Sequence, residues 1–309
     1  LANIAQSAHK FSNDLDIFGK SSLFQWINLT KTSFGRKNLA NKMMMNSLPT
    51  RYDIQEEQEA IKELSNKREF CEKIYFEASI ENKKKENIEE LLKWLDKDEK
   101  SNFTIKYISY LFIAITFIMI FLTITRKVSI SNLILDLIIN YLVIKLLTKR
   151  LSDVISIFIN NKKEIYKYSN MLSIIQDENF KSKKLLSIQK GLVSSNINCK
   201  NEMKKLKNII SWLGDSTSNA YYLIVNVLFM SDIFILANLE EWKVKNGYKV
   251  RKWLDDMGEI EALISLSTIA FEHDEWTYPT ISGVNEIEAI ELAHPLLGEK
   301  AKSNNFTLK

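Results

Sequence analysis

Residues 107–125 read YISYLFIAITFIMIFLTIT, nineteen positions without a charge, set between Lys106 and Arg126. A helix of that length is about 28 Å long, close to the hydrocarbon thickness of a bilayer. A second run, 128–144 (VSISNLILDLIINYLVI), follows a short basic connection and is interrupted by Asp136 and Asn140. Two such runs back to back predict a transmembrane helical hairpin over 101–148. A third apolar run, Tyr221 to Leu239, carries Asn226, Asp232 and Asn238. An isolated aspartate in lipid costs a few kcal/mol, so this run reads as a buried core helix rather than a further span.

Outward from the hairpin the chain reads as soluble helical protein. Neither glycine nor proline occurs between Thr50 and Lys190, and no proline between Pro49 and Pro279. A stretch so free of breakers and rich in Lys, Glu, Ile and Leu predicts very long helices. The apolar spacing agrees: Ile61, Leu64, Cys71, Ile74 and Ala78 step by three and four, as do Ile88, Leu91, Leu92 and Leu95. After the hairpin, Leu151, Val154, Ile155, Phe158, Ile165, Tyr168, Met171, Leu172 and Ile175 continue the pattern. This predicts one rod running on from the second apolar helix, with a kink at 160–163 (NNKK). Residues 259–271 (EIEALISLSTIAF) form an amphipathic pattern. Glu286 to Glu291 and His294 to Leu297 read as short strands, the one β-like part of the chain.

With 309 residues, 46% apolar and 26% charged, the chain is not of the disordered class. A net charge of +4 is too small to argue for nucleic acid by itself. Cys71 and Cys199 form no CxxC pair, and His9, His273 and His294 are dispersed, so no metal site is expected. Lys93, Lys97, Lys100, Lys106, Lys145, Lys149 and Arg150 outnumber Arg126 and Lys127 in the connecting turn, which places the bulk of the chain in the cytoplasm. The chain begins at Leu1 and ends at Lys309 within a strand-like stretch, and is expected to be a segment of a longer protein.

Both ends carry motifs in a shared order. Asp14-Leu15-Asp16-Ile17-Phe18-Gly19 is followed by Ser22-Leu23-Phe24, Thr30, Thr32-Ser33-Phe34-Gly35-Arg36, Leu48-Pro49, Arg51, Ile54 and Gln58-Glu59-Ala60-Ile61. Near the other end come Glu261-Ala262-Leu263-Ile264-Ser265-Leu266-Ser267, Tyr278-Pro279, Ala293-His294-Pro295-Leu296-Leu297 and Asn304-Asn305. The two sets resemble the core and the ATPase entry of the MutS family of mismatch-repair ATPases, with Gln58 where arginine is usual. The middle resembles a membrane-associated bacterial branch of that family, through Ser211-Trp212-Leu213-Gly214, Asn219 to Asp232, Leu239-Glu240-Glu241-Trp242 and Arg251-Lys252-Trp253-Leu254.

The resemblance implies a mainly α fold: a long-helix MutS-like core/lever domain with an inserted transmembrane hairpin and a few short C-terminal β-strands. The first part of the core and the descending lever helix would occupy 1–100 and the hairpin 101–148. The returning lever and the second part of the core would occupy 149–285, and the first strands of a truncated ATPase domain 286–309. It implies ATP and Mg bound only with the missing ATPase domain, a homodimer formed through that domain, and double-stranded DNA as a ligand. It also implies a multi-pass location in a bacterial cell membrane. Asn304 would lie on the adenine side of the ATP pocket, with Ala301 where relatives stack an aromatic ring on the base.

No GxxxxGK[ST] loop is present, so this segment is not expected to hydrolyse ATP. His294 reads as a structural strand start, His273 as a solvated helix end, and Asp255-Asp256 and Glu240-Glu241 as exposed helix faces. The lysine clusters are Lys83-Lys84-Lys85, Lys162-Lys163, Lys181 with Lys183-Lys184, and Lys200 with Lys204-Lys205-Lys207. They suit DNA phosphates, an anionic leaflet, or simply a solvated helix face. The inherited function would be ATP-dependent mismatch or DNA-damage sensing. The alternative is a structural or signalling membrane protein that keeps the architecture without binding DNA.

Overall fold

The computed structural model describes residues 12, 14–45, 48–80, 88–97, 104–148, 151–194, 197–212, 220–283 and 285–309. Helices dominate: α1 (Leu23–Ile27), α2 (Ser33–Met44), α3 (Arg51–Ser65), α4 (Arg68–Ala78), α5 (Ile88–Asp96), α6 (Thr104–Ile124), α7 (Ile130–Thr148), α8 (Leu151–Asp177), α9 (Lys183–Gly191), α10 (Cys199–Ser211), α11 (Ala220–Phe229) and α12 (Ser231–Glu272). Strands β1 (Val193–Ser194) and β2 (Ile197–Asn198) form one antiparallel pair, and β3 (Ile287–Leu292) and β4 (Asn304–Leu308) another. The chain divides into two compact units. One comprises residues 1–79, 174–192 and 254–309, the other 80–173 and 193–253.

The first unit is held by α12 lying against α2. Thr32 caps α2, its hydroxyl accepting from the Gly35 N–H at 3.0 Å. The buried Glu261 carboxylate accepts from the Lys31 N–H (2.5 Å), the Thr32 N–H (3.0 Å) and the Thr32 hydroxyl (2.5 Å). A carboxylate placed on the free amides ahead of a helix satisfies orphan donors and meets the positive end of the helix dipole. Close approach needs Gly258, where a Cβ would sit 2.6 Å from the Phe34 carbonyl carbon. Elsewhere in this unit Glu63 of α3 accepts from the Lys181 and Ser182 N–H groups just ahead of α9.

Lys42 lies 2.8 Å from both Glu57 and Glu259, and Lys184 adds a 3.2 Å contact to Glu259. Burial disfavours both charged forms, but attraction outweighs it. The Lys42 pKa stands above the ordinary 10.5, and that of Glu259 below the ordinary 4.5. The linkage has two signs. The Glu259 contribution is complete above 4.5 and fades as pH falls through its lower folded value. The Lys42 contribution is complete below 10.5 and fades as pH rises through its higher folded value. The stability difference between the native chain and Lys42→Met, read by urea unfolding, should therefore be constant between these limits and shrink outside them.

In the second unit α5 buries Ile88, Leu91, Leu92, Trp94 and Leu95. The Trp94 ring meets Phe158 of α8 edge-on at 5.1 Å and carries the Lys243 ammonium 4.6 Å above it. Glu202 of α10 is buried and accepts from Lys205 (2.9 Å), Lys245 (3.0 Å) and Asn246 (3.0 Å), while the Trp242 indole N–H donates to the Glu202 carbonyl.

Several elements differ from the sequence expectation. The descending helix is broken: α3 stops at Ser65, where the Asn66 amide donates to the Lys62 carbonyl, and α4 starts afresh at Arg68. A side chain that takes up a terminal carbonyl ends a helix without glycine or proline. The α8 helix passes through 160–163 uninterrupted, and the predicted continuity from α7 into it falls at residues 149–150, outside the described ones. The β1–β2 pair was not expected. Residues 295–300 form a 3₁₀ turn rather than a strand, opened by His294, whose ring nitrogen accepts from the Leu296 N–H. The run 221–239 is two helices, broken at Met230.

Candidate functional site

The hairpin is built inside out relative to a soluble helix pair. Along α6 and α7 the large apolar side chains, among them Leu111, Phe117, Phe121, Leu135 and Leu142, are exposed, while Ser109, Thr116 and Asn140 are buried. Both helices are long and apolar enough to cross a membrane, with only 11% and 17% of their residues buried. The connecting turn has the form of a helix C-cap. Arg126 is left-handed (φ 57), and the Lys127 N–H reaches back to the Leu122 carbonyl at 2.9 Å. The turn thereby takes up terminal carbonyls of α6.

The polar residues that interrupted the second run form a seam between the helices. The Thr116 hydroxyl of α6 donates to Asp136 of α7 at 2.8 Å. The Asn140 amide of α7 donates to the Thr116 oxygen at 2.7 Å and to the Val227 carbonyl of α11 at 3.3 Å. That carbonyl lies in the last turn of α11, where no helical N–H can reach it. Around the seam Ile144, Met230 and Ile233 form an apolar cluster with Phe112, Ile113, Val143, Leu147 and Phe234.

The break between α11 and α12 is equally furnished. Met230 is left-handed (φ 48). The Asn226 side-chain oxygen Oδ1 accepts from the Asp232 N–H (3.0 Å) and the Ser231 hydroxyl (3.2 Å), capping α12 from a distance. Asp232 in turn accepts from the Asn226 amide at 2.6 Å and from the Tyr222 hydroxyl. Asp136, Asn226, Asp232 and the Asn140 amide nitrogen thus bond to side chains and backbone, while the buried Asn140 Oδ1 has no partner among the described residues. The run 221–239, expected as one buried helix, is two helices that pack on the hairpin, with Met230, Ile233, Ile235 and Leu239 buried. Replacing Asn140 by leucine strips Val227 of its donor and should cost about 1–3 kcal/mol, seen as a lower melting temperature in detergent. Asn140→Gln, which keeps the amide, should recover part of the loss.

The residues singled out from sequence are scattered. Asn304 lies on the exposed strand β4, its amide donating to the Lys302 carbonyl (3.3 Å), and Asn305 accepts from the Glu291 N–H. Ala301 follows the 3₁₀ turn. His294 is a turn cap and His273 stacks on Trp276 at 4.1 Å. Lys83-Lys84-Lys85 lies outside the described residues. Of the other lysines, Lys162 donates to the Ser211 carbonyl, Lys183 to the Tyr52 hydroxyl and Lys207 to Asn170, while Lys184 and Lys205 pair with glutamates.

A further feature escaped the sequence reading: an apolar cavity of about 550 Å³ in the first unit, lined by Leu29, Leu64, Cys71, Tyr75, Ile264 and Phe271 among others. The signal was present as Cys71 and Tyr75 one helical turn apart and Ile264, Ser267 and Phe271 at helical spacing. Burial pushes the Cys71 thiol up to about 11 against a weaker opposing hydrogen bond with Ser267. Maleimide should accordingly modify native Cys71 about a hundredfold more slowly than the same thiol in urea at pH 8, because the thiolate is the reacting species.

No protein-family model matches this chain, and neither a curated protein nor a solved structure does so.

Proposed function

We propose that the chain is the core-and-lever part of a membrane-anchored MutS-like ATPase of a bacterial cell membrane. On this reading the hairpin holds the protein in the bilayer, the bulk lies in the cytoplasm, and long helices couple an ATPase domain to the membrane end. The observation that carries the reading is the bonding of Glu261 to Lys31 and Thr32. The two motif-bearing stretches lie 230 residues apart in the chain, yet they pair in one compact unit. Between them in sequence stands a hairpin whose apolar side chains face outward. ATP and Mg, the homodimer interface and the adenine contact of Asn304 all belong to the ATPase domain on this proposal.

The inherited activity is ATP-dependent binding of mismatched DNA. A second reading, a structural or signalling membrane protein without DNA binding, is favoured by one observation: much of the lysine charge is already engaged by glutamates, carbonyls and tyrosines of the chain itself. The complete protein, purified in detergent, decides between them through its binding to a mismatched duplex across salt concentrations. Binding that weakens steeply with salt and exceeds that of a matched duplex supports mismatch sensing. An intact ATPase with no binding at low salt ends the DNA reading.

A further inference from the structure

We propose that α11 and the first turns of α12 form a re-entrant element, entering the bilayer beside the hairpin and leaving by the face it entered. The inference rests on the reading of the hairpin as membrane-embedded and adds a third lipid-contacting element to it.

Continuity with the hairpin is the first argument. Phe229 meets Phe117 at 5.8 Å, Tyr110 meets Phe234 edge-on at 4.9 Å, and Met230 and Ile233 share a buried cluster with Ile144. On α11 Leu223 and Ile224 are more than half exposed, as are Leu111 and Phe121 of α6. Apolar side chains contiguous with a lipid-facing surface take the same occupant, acyl chains. Lys106, at the foot of α6, donates to Asn238 at 3.3 Å and lies 3.6 Å from Glu241. That contact marks the level at which α12 leaves the apolar layer.

Length is the second argument. The ten residues of α11 rise about 15 Å, and Ser231–Leu239 about 13 Å. The two axes are bent by 72° at Met230. In continuous descent, tilted equally at about 36° each, they span at most about 23 Å, short of the roughly 30 Å that a crossing requires, whereas entering and leaving by one face with this bend takes them about 9 Å deep.

Satisfaction of the break is the third. A bend in lipid frees carbonyls and amides that water cannot reach. Here Asn140 serves the Val227 carbonyl, and Asn226 serves the Asp232 N–H. The polar residues that count against a straight span are the ones a bent one requires.

The test uses added cysteines in the full chain, with the native chain, whose Cys199 is buried and Cys71 partly buried, labelled in parallel as the blank. Nitroxide labels at Leu223→Cys and Ile224→Cys, in phosphatidylcholine–phosphatidylglycerol vesicles, are compared with labels at Leu111→Cys and Phe121→Cys. All four should collide with oxygen several-fold more than with a water-soluble nickel chelate. In intact cells an impermeant maleimide should treat Trp212→Cys and Tyr248→Cys alike and Lys127→Cys oppositely. Nickel-dominated labels at 223 and 224 beside oxygen-dominated hairpin labels overturn the inference alone. Opposite labelling of 212 and 248 overturns it in favour of a crossing. Nickel-dominated labels at all four positions overturn the membrane reading, and the inference with it.

Discussion

Replacing Glu261 by alanine is expected to lower the stability of the first unit by about 3–5 kcal/mol, a large share of what holds an ordinary domain together. Three donors converge on this carboxylate, two of them backbone amides just ahead of α2. Alanine leaves the two buried Thr32 donors and the part-buried Lys31 N–H with no acceptor, and a stranded buried donor costs more than the hydrogen bond it made was worth. Glu261→Gln keeps the shape and one acceptor oxygen and should lose roughly half as much. Gly35→Ala should fail in the same way, because a Cβ there overlaps the Glu261 carboxylate. Urea unfolding in detergent, followed through the fluorescence of Trp26 and Trp276 in that unit, measures the loss. An unchanged midpoint in Glu261→Ala would show that the contact contributes nothing.

The second large effect concerns partition. The native chain should sediment with membranes and resist alkaline carbonate, and removal of residues 101–148 should abolish that resistance. Between Tyr107 and Thr125 lie eleven Ile, Leu and Phe side chains, each contributing about 0.3–0.6 kcal/mol to insertion, or about 3–7 kcal/mol together. The second helix has a comparable apolar content, but a lone Asp136 at its centre would offset about 2.5–3.5 kcal/mol of it. On the membrane reading, the bond that Thr116 donates to Asp136 offsets part of this cost and couples the two helices. Full-length chain recovered in the soluble fraction without detergent would sink the membrane reading.

The hairpin was legible because its signal is composition: nineteen uncharged residues between basic flanks need no partner to be understood. Interior details were not, because they depend on contacts far away in sequence. Met230 adopts a left-handed conformation without the glycine that would announce it, and the cap that stabilises the break comes from Asn226 and the pairing with α7. The break after Ser65 likewise carries one side-chain signal, Asn66, whose amide takes up the Lys62 carbonyl beside backbone turn bonds that leave no mark in the sequence. The β1–β2 pair is two residues per strand, too short for alternation to register. Of the candidate site residues, Asn304 was expected on the adenine side of an ATP pocket; it lies on strand β4 with its amide on the Lys302 carbonyl, a local contact that carries no trace of a ligand in the sequence.

The bond from Asn140 to Val227 joins residues 87 positions apart, with the donor first in the chain. A ribosome releases residues in order, so the amide on α7 is already available when the carbonyl that needs it emerges. Thr116 and Asp136 also precede every residue of α11. The order of synthesis is thus an order of assembly in which each later element finds its polar partner waiting, and moving residues 220–239 ahead of the hairpin would deliver a broken helix with nothing to complete it.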